Sequence, residues 1–299
     1  NQIRTELNKI DPTILIIGEG WNMGDVLPDA LKGAQINATS MPGIGMFNDQ
    51  IRDAIKGSVF DSANKGYVQG NFNNVDGIRA GIVGQVLYSR AVNGAWTAAA
   101  PGQAVNYVEA HDNLTLYDKL VASVRGASKA KLAAMDQFAA SIAFLAQGMP
   151  FQQAGQEFLR TKNGDGNSYN SGDGVNKLQW NQRATNIATV NYYKGLIALR
   201  MGHKAFRMTT ADQVKANLTF LTADEPVVAY SLNGAAVGDS WNTIVVAHNP
   251  KSSAYKLTLP SSASWQVVVT AGKAGVATLS TVTGNSITVP AGATLVVHN

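Results

Sequence analysis

Three apolar runs in the chain each end in polar residues that could do chemistry. Glu19 follows "ILIIG", His111 and Asp112 follow "VNYVEA", and Gln156 and Glu157 follow "FQQAG". A carboxylate at the mouth of an apolar strand, beside a ring such as Trp21, is expected to be desolvated, which favours its protonated form. A glutamic acid kept protonated near neutral pH can serve as a general acid. A second carboxylate with a histidine beside it can accept hydrogen bonds from sugar hydroxyls and stabilise positive charge. Glycoside hydrolysis needs this combination, because its transition state resembles an oxocarbenium ion. Trp21, Tyr107, Tyr117 and Tyr169 are candidates for stacking on sugar rings. Each part alone has a plainer reading. Glu19 would be a loop acid, His111 a hydrogen-bonded structural histidine, Trp21 a core residue and Glu157 a structural acid paired with Arg160. The conjunction of two such strand ends outweighs either part.

These residues share one face only if their strands are parallel. "TILIIG" is wholly apolar, as strands covered on both faces are. "GIGMFN" reads as a second strand, residues 104–112 as a third and "MPFQQAGQE" as a fourth. Helices are predicted between them: residues 1–9, "DQIRDAIKG" with Asp49 as N-cap and Gly57 as stop, "DGIRAGIVGQVLYS", and a long one ending at Gly148. "NIATVNYYKGLIALRMGH" is the last amphipathic helix. Alternating strands and helices imply βαβ units and a parallel sheet. In such a fold the functional residues lie at the C-terminal strand ends. After residue 204 the pattern changes to short alternating segments, among them "VVAYSL", "NTIVVAHN", "YKLTL", "WQVVVT", "SITV" and "TLVVHN". These predict an antiparallel β-sandwich. The expected domains are therefore 1–203 and 204–299.

Composition removes several classes. The chain has no cysteine, so disulfides, iron–sulfur clusters and thiolate zinc are excluded. Its four histidines lie far apart, and no metal site is expected. A net charge of +4 without a basic stripe argues against nucleic acid. No apolar run reaches the length of a membrane helix. Charged residues make up 15%, against roughly 25% in an average globular protein; a surface this poor in charge suits a secreted protein. "GIGMFN" has Asn48 where a dinucleotide loop needs its third glycine, and neither a nucleophile elbow nor a P-loop is present. The loop "DGNSYNSGDGVN" has Tyr169 and Asn176 where calcium-loop spacing calls for other ligands; it reads as a polar loop, or as a substrate-binding loop over the cleft.

"IIGEGWNMG" and "VNYVEAHDNLTLYDKL" resemble two signature regions of glycoside hydrolase family 13, the α-amylase family. With "FNDQIRDAIKG" and "AGQEFLRTKNGDGNSYNSGDGVN" they resemble most its type I pullulanase branch, debranching enzymes that cut α-1,6 links in pullulan and branched starch. The resemblance is dense over residues 1 to about 203. It implies the second half of a (β/α)8 TIM barrel, strands five to eight, followed by the family's C-terminal β-sandwich. It implies Glu19 as acid/base, Asp112 as transition-state stabiliser and His111 as a ligand of sugar hydroxyls, with Trp21 and Asn22 lining the site. The loop from Asp165 to Asn176, with Tyr169, Asp173 and Asn176, would contact glucosyl units on the non-reducing side.

One family feature has no match. The nucleophilic aspartate sits in a segment like "DGFRFD", on a strand preceding that of the acid. "DGIRAG" at 76–81 lacks the second Asp and follows Glu19. Residue 1, in what reads as mid-helix, is taken as a cut point, with the nucleophile upstream. The expected partners are an α-glucan polysaccharide and the N-terminal half of the same enzyme as a separate chain or fragment. No cofactor is expected in this chain, with calcium possible elsewhere in the full enzyme. The alternatives are an isoamylase-like, glycogen-debranching or neopullulanase-like relative, or a non-catalytic glucan-binding fragment.

Overall fold

The computed structural model describes residues 1–24 and 26–299. The chain is α/β followed by all-β. Its first part contains α1 (Gln2–Ile10), β1 (Ile16–Gly18), β2 (Ile44–Asn48), α2 (Asp49–Lys56), α3 (Val75–Ile82), β3 (Ala104–Asn106), α4 (Leu116–Ser123), α5 (Lys129–Leu145) and β4 (Met149–Pro150). The single turns α6 (Asp173–Asn176) and α7 (Gln182–Thr185) lead to α8 (Ile187–Gly202). β1 to β4 lie side by side in chain order, and every pair is parallel. All four C-terminal strand ends therefore face one way. Buried side-chain amides tie these ends together. Asn48 donates to Asn106, Gln85 donates to Asn48, and Asn106 donates to the Gln147 carbonyl. A buried amide has to find such partners, and the partners fix the register.

The sheet has two free edges among the described residues: β1 and β4 each pair on one side only. Among the described residues the chain shows a four-stranded parallel sheet and no closed barrel. Leu15 and Ile17 by the β1 edge are exposed, as are Ile3 and Ile10 of α1. The strands are also shorter than the apolar runs that predict them, β3 stopping at Asn106.

Local chemistry sets the helix ends. Asn48, not Asp49, caps α2 by accepting the Ile51 N–H, and Gly57 at φ 82° ends it. Ser128 caps α5, which stops at Leu145, before Gly148. The helix predicted over residues 76–89 ends at Ile82, because Gly84 and Gln85 both take positive φ.

The second part has α9 (Ala211–Asn217), β5 (Leu218–Phe220), β6 (Val228–Asn233), β7 (Thr243–Asn249), β8 (Tyr255–Thr270), β9 (Lys273–Ala274), β10 (Ser280–Val289) and β11 (Ala293–His298). The expected sandwich of two sheets is corrected here. All seven strands belong to one antiparallel sheet in the order β10-β8-β11-β7-β6-β5, with β9 beside β8. "YKLTL" and "WQVVVT" are one strand, whose pairing with β10 skips a register opposite Gly284–Ser286. Beyond that break the ribbon folds over the sheet. Leu257, Leu259, Ile287 and Val289 pack into one cluster with Trp265, Val245, Ala247 and Leu295. The main core runs across residue 204. Phe138, Phe144 and Tyr193 share a cluster with Tyr230, Val246 and Val296, and the Tyr67 hydroxyl donates to the carbonyls of Pro226 and His248.

Candidate active site

Two hollows lie at opposite ends of the parallel strands. The larger, about 1270 Å³, lies along their N-terminal ends and is lined largely by apolar residues such as Ile14, Leu15, Phe144 and Met149. The chemistry converges on the other, a cleft of about 690 Å³ at the C-terminal ends. Glu19, Trp21, Asn22, His111 and Asp112 all line it.

Glu19 stands one residue past β1. Gly20 follows it at φ 73°, and a Cβ there would meet the Cβ and Cγ of Met46 at 3.0 Å, so this position calls for glycine. The loop is fastened by Gln35, whose backbone N–H donates to the Gly20 carbonyl while its side chain donates to the Phe47 carbonyl and Asp49. Asn22 turns inward to its own loop, bonding Asp29, Lys32 and the Gly24 N–H. From β3, the stretch after Tyr107 brings His111 and Asp112 to the same place. One polar atom from each of Glu19, His111 and Asp112 lies within 4.8 Å of the other two. His111 Nε2 stands 3.6 Å from Asp112 Oδ1. All three groups are exposed. The dry setting expected around Glu19 is thus not built by these residues; Trp21 is only half-buried. Acid and imidazole groups so close have the donor types for a cation, but exposed acidic groups commonly stand together without one, and no metal site is assigned.

The cleft floor is aromatic and charged. Phe47 and Tyr107 line it and meet each other and Phe151, behind them, edge to face at centroid distances of 4.8–6.4 Å. Arg52 donates to the Tyr107 hydroxyl at 2.6 Å and forms a two-point pair with Asp53. Burial pushes the Tyr107 hydroxyl up to about 12, with Arg52 acting against it. Tyr107 is therefore a buried anchor, not an open stacking platform. Tyr117 packs on the core and does not line the cleft.

The 160–176 loop approaches from the side. Asp165, Tyr169, Asp173 and Asn176 do not line the cleft. Asp165 accepts from Ser171 and the Asn167 N–H, which holds its carboxyl below the usual range. Asn176 donates to the Ser168 carbonyl, and its own carbonyl accepts from Arg160. Tyr169 is 82% exposed and Asp173 is exposed. The loop is nonetheless tied to the site: Asp118 accepts from Thr161 and the Lys162 N–H, and Lys162 Nζ donates to the His111 carbonyl. Glu157 accepts from Gln152 and the Gly155 N–H instead of pairing with Arg160.

Sequence reasoning missed Gln35, Arg52, Lys56, Glu109 and Lys162. A signal existed for two of them: Arg52 and Lys56 are one helical turn apart, next to the buried Ile51 and Ile55.

Residues 214–273 match the model of the all-β domain of pullulanase. The pullulanase of Bacillus subtilis (strain 168) is 37% identical over 271 residues, an alignment covering 89% of this chain and 37% of that protein. The pullulanase structure from Bacillus acidopullulyticus superposes with a TM-score of 0.93 at 39% identity, over all of this chain and 36% of that one. The chain belongs to the pullulanase family. The Paenibacillus barengoltzii pullulanase, in a complex with maltohexaose and α-cyclodextrin, gives a TM-score of 0.92 at 42% identity, again over the whole of this chain and 45% of its counterpart. The chain thus spans less than half the length of these pullulanases. Among the described residues no helix is long and apolar enough to cross a membrane.

Proposed function

We propose that the protein carrying this chain is a starch-debranching glycoside hydrolase that cleaves α-1,6-glucosidic bonds in pullulan and branched α-glucans with retention. The observation that carries the reading is the meeting of Glu19 with His111 and Asp112, from two parallel strand ends, in one cleft. Glu19 protonates the oxygen of the leaving glucosyl unit, then takes a proton from the water that attacks the anomeric carbon. Asp112 stabilises the positive charge that develops at that carbon, and His111 binds a hydroxyl of the same sugar. Trp21 and Asn22 flank the acid. Asp165, Tyr169, Asp173 and Asn176 meet glucosyl units farther along, where the loop tied to His111 borders the cleft.

Retention requires a second carboxyl about 5–5.5 Å from the first, acting as nucleophile. We assign it to an aspartate outside these 299 residues, on strands that complete a (β/α)8 barrel of which β1 to β4 are the second half. The free edge of β1, the exposed Leu15 and Ile17 and the apolar hollow along the strands support such a neighbour, since uncovered edges and apolar faces favour association. The same neighbour would give Glu19 the dry setting it lacks. Acid–base and nucleophilic chemistry of this kind needs no organic cofactor in this chain, and calcium would belong elsewhere in the protein. A polymeric substrate and a low surface charge support secretion.

Product analysis on pullulan tests the reading. Cleavage of α-1,6 links leaves maltotriose, released first as the α-anomer. Products that keep the α-1,6 link would indicate a neopullulanase-like enzyme, and action on branched glucan without action on pullulan an isoamylase-like one. Binding without turnover would leave a non-catalytic glucan-binding protein.

A further inference from the structure

We propose that Lys162 is a positioning residue for the reaction proposed above, on which this inference rests: it clasps the turn bearing His111 and Asp112 to the 160–176 loop, so that the order of the loop sets the place of both groups. The turn has little else to hold it. Among the described residues, 108–114 make no backbone–backbone hydrogen bond, and Asn113 takes φ 65° in their midst. His111 and Asp112 are exposed, so burial does not fix them either. Two side chains fasten the turn instead. The Glu109 carboxylate accepts the Leu116 N–H, and Lys162 Nζ donates to the His111 carbonyl at 3.2 Å.

These bonds close a circuit. Leu116 opens α4, whose first turn carries Asp118. Asp118 accepts the Thr161 hydroxyl and, at 2.8 Å, the Lys162 N–H. The backbone of Lys162 is thus fixed to α4 while its side chain reaches back to His111. Lys162 is 2% exposed, and a lysine so buried is found where its ammonium has a partner. Gly166 adds a second contact between loop and turn: a Cβ there would stand 3.7 Å from the Leu114 nitrogen and 3.8 Å from the Asn113 carbonyl carbon. The loop that Lys162 opens carries the proposed glucosyl contacts Asp165, Tyr169, Asp173 and Asn176. Glu19 reaches the cleft from β1 and stands outside the circuit. Loss of the clasp therefore displaces His111 and Asp112 but not the acid, and a displacement near 1 Å costs about 100-fold in rate.

The test uses the full protein with Lys162→Met, which keeps the stem and removes the donor, with Asp118→Asn, and with the two combined. Kinetics are recorded on pullulan and on α-maltotriosyl fluoride, whose leaving group departs without general acid. Amide exchange is followed at residues 160–165. Lys162→Met is expected to lower kcat by about tenfold or more on both substrates, because His111 and Asp112 serve both. It is expected to speed exchange at 160–165 by about tenfold, as the loss of a hydrogen bond to a charged group does. The double variant is expected within about threefold of Lys162→Met in kcat, since both substitutions break one circuit. A Lys162→Met protein within threefold of the parent in kcat or in exchange would overturn the clasp. So would a loss confined to pullulan, which would place the effect on Glu19, or a double variant whose loss is the product of the two single losses. If Lys162→Met does not fold, Asp118→Asn, which frees Lys162 at its backbone, decides by the same comparison of substrates. A parent protein that hydrolyses neither substrate sinks the proposed function, while the exchange readout still decides the clasp.

Discussion

Asp118→Asn tests how the 160–176 loop is held against the cleft. Asp118, in the first turn of α4 and 6% exposed, accepts from the Thr161 hydroxyl and from the Lys162 N–H at 2.8 Å. Asparagine keeps one acceptor and places an NH2 group where the second stood, so one donor of the loop loses its partner. A hydrogen bond to a charged group is worth about 1.5–3 kcal/mol. The free energy for opening the loop should therefore fall by about 2–3 kcal/mol, which speeds amide exchange by about 30- to 150-fold. Exchange followed by mass spectrometry, with α5 peptides as internal control, measures this directly. Thr161→Val, which removes one donor and keeps the shape, should give a smaller effect at the same peptides. The KM for pullulan should rise with loop opening, since the loop carries the proposed contacts Asp173 and Asn176. Exchange at 160–176 within threefold of the parent would refute the reasoning. An equal rise in α5 would show global unfolding instead of loop release.

Further outcomes are expected from other parts of the chain. Trp265 is fully buried in the cluster under the β8–β10 ribbon, so Trp265→Ala should cost about 3–5 kcal/mol in urea unfolding. Gly81→Ala would drive a Cβ into the Ile51 side chain; overpacking of about 1–3 kcal/mol is expected, eased when Ile51→Ala makes room. His248 is buried, and its pKa is pushed down to about 3 from an ordinary 6.5. Between those values the unfolded chain binds the proton and the folded one does not, so stability should fall as pH drops from 6.5 towards 3, by up to about 1.4 kcal/mol per unit. His248→Asn should remove that slope in unfolding curves recorded across this window.

The candidate site was largely legible in the sequence because it depends on one geometrical rule. Strands such as "ILIIG" are apolar throughout, and the polar residue that ends each must lie at the same sheet end as its neighbours. Glu19 and His111-Asp112 meet as that rule requires. What supports them was less legible. Arg52, Lys56 and Glu109 are charged residues in buried places, and burial of charge depends on partners far away in the chain. The loop residues Asp165 and Asn176 turned out to bond within their own loop, which spacing alone does not reveal. Pro260 broke the reading of β8 into two segments, although it sits where the strand bends and its pairing with β10 is interrupted. One bent sheet and two stacked sheets share the same alternation, so the sequence pattern could not separate them. The early end of α3 rests on Gln85 taking a left-handed conformation, which glutamine does not advertise.

The central claim is that Glu19 is the acid/base of a retaining glycosidase, and azide rescue of Glu19→Gln in the full protein tests it most directly. Removal of a general acid/base costs about 10²–10⁴-fold, so hydrolysis of pullulan should fall by that order. On an activated substrate such as an α-maltotriosyl fluoride, whose leaving group departs without general acid, azide needs no general base to attack the glycosyl-enzyme, so it should restore turnover of the variant and yield an α-glycosyl azide. A Glu19→Gln variant that hydrolyses pullulan at the parent's rate would contradict the assignment, as would a rescued product of inverted configuration.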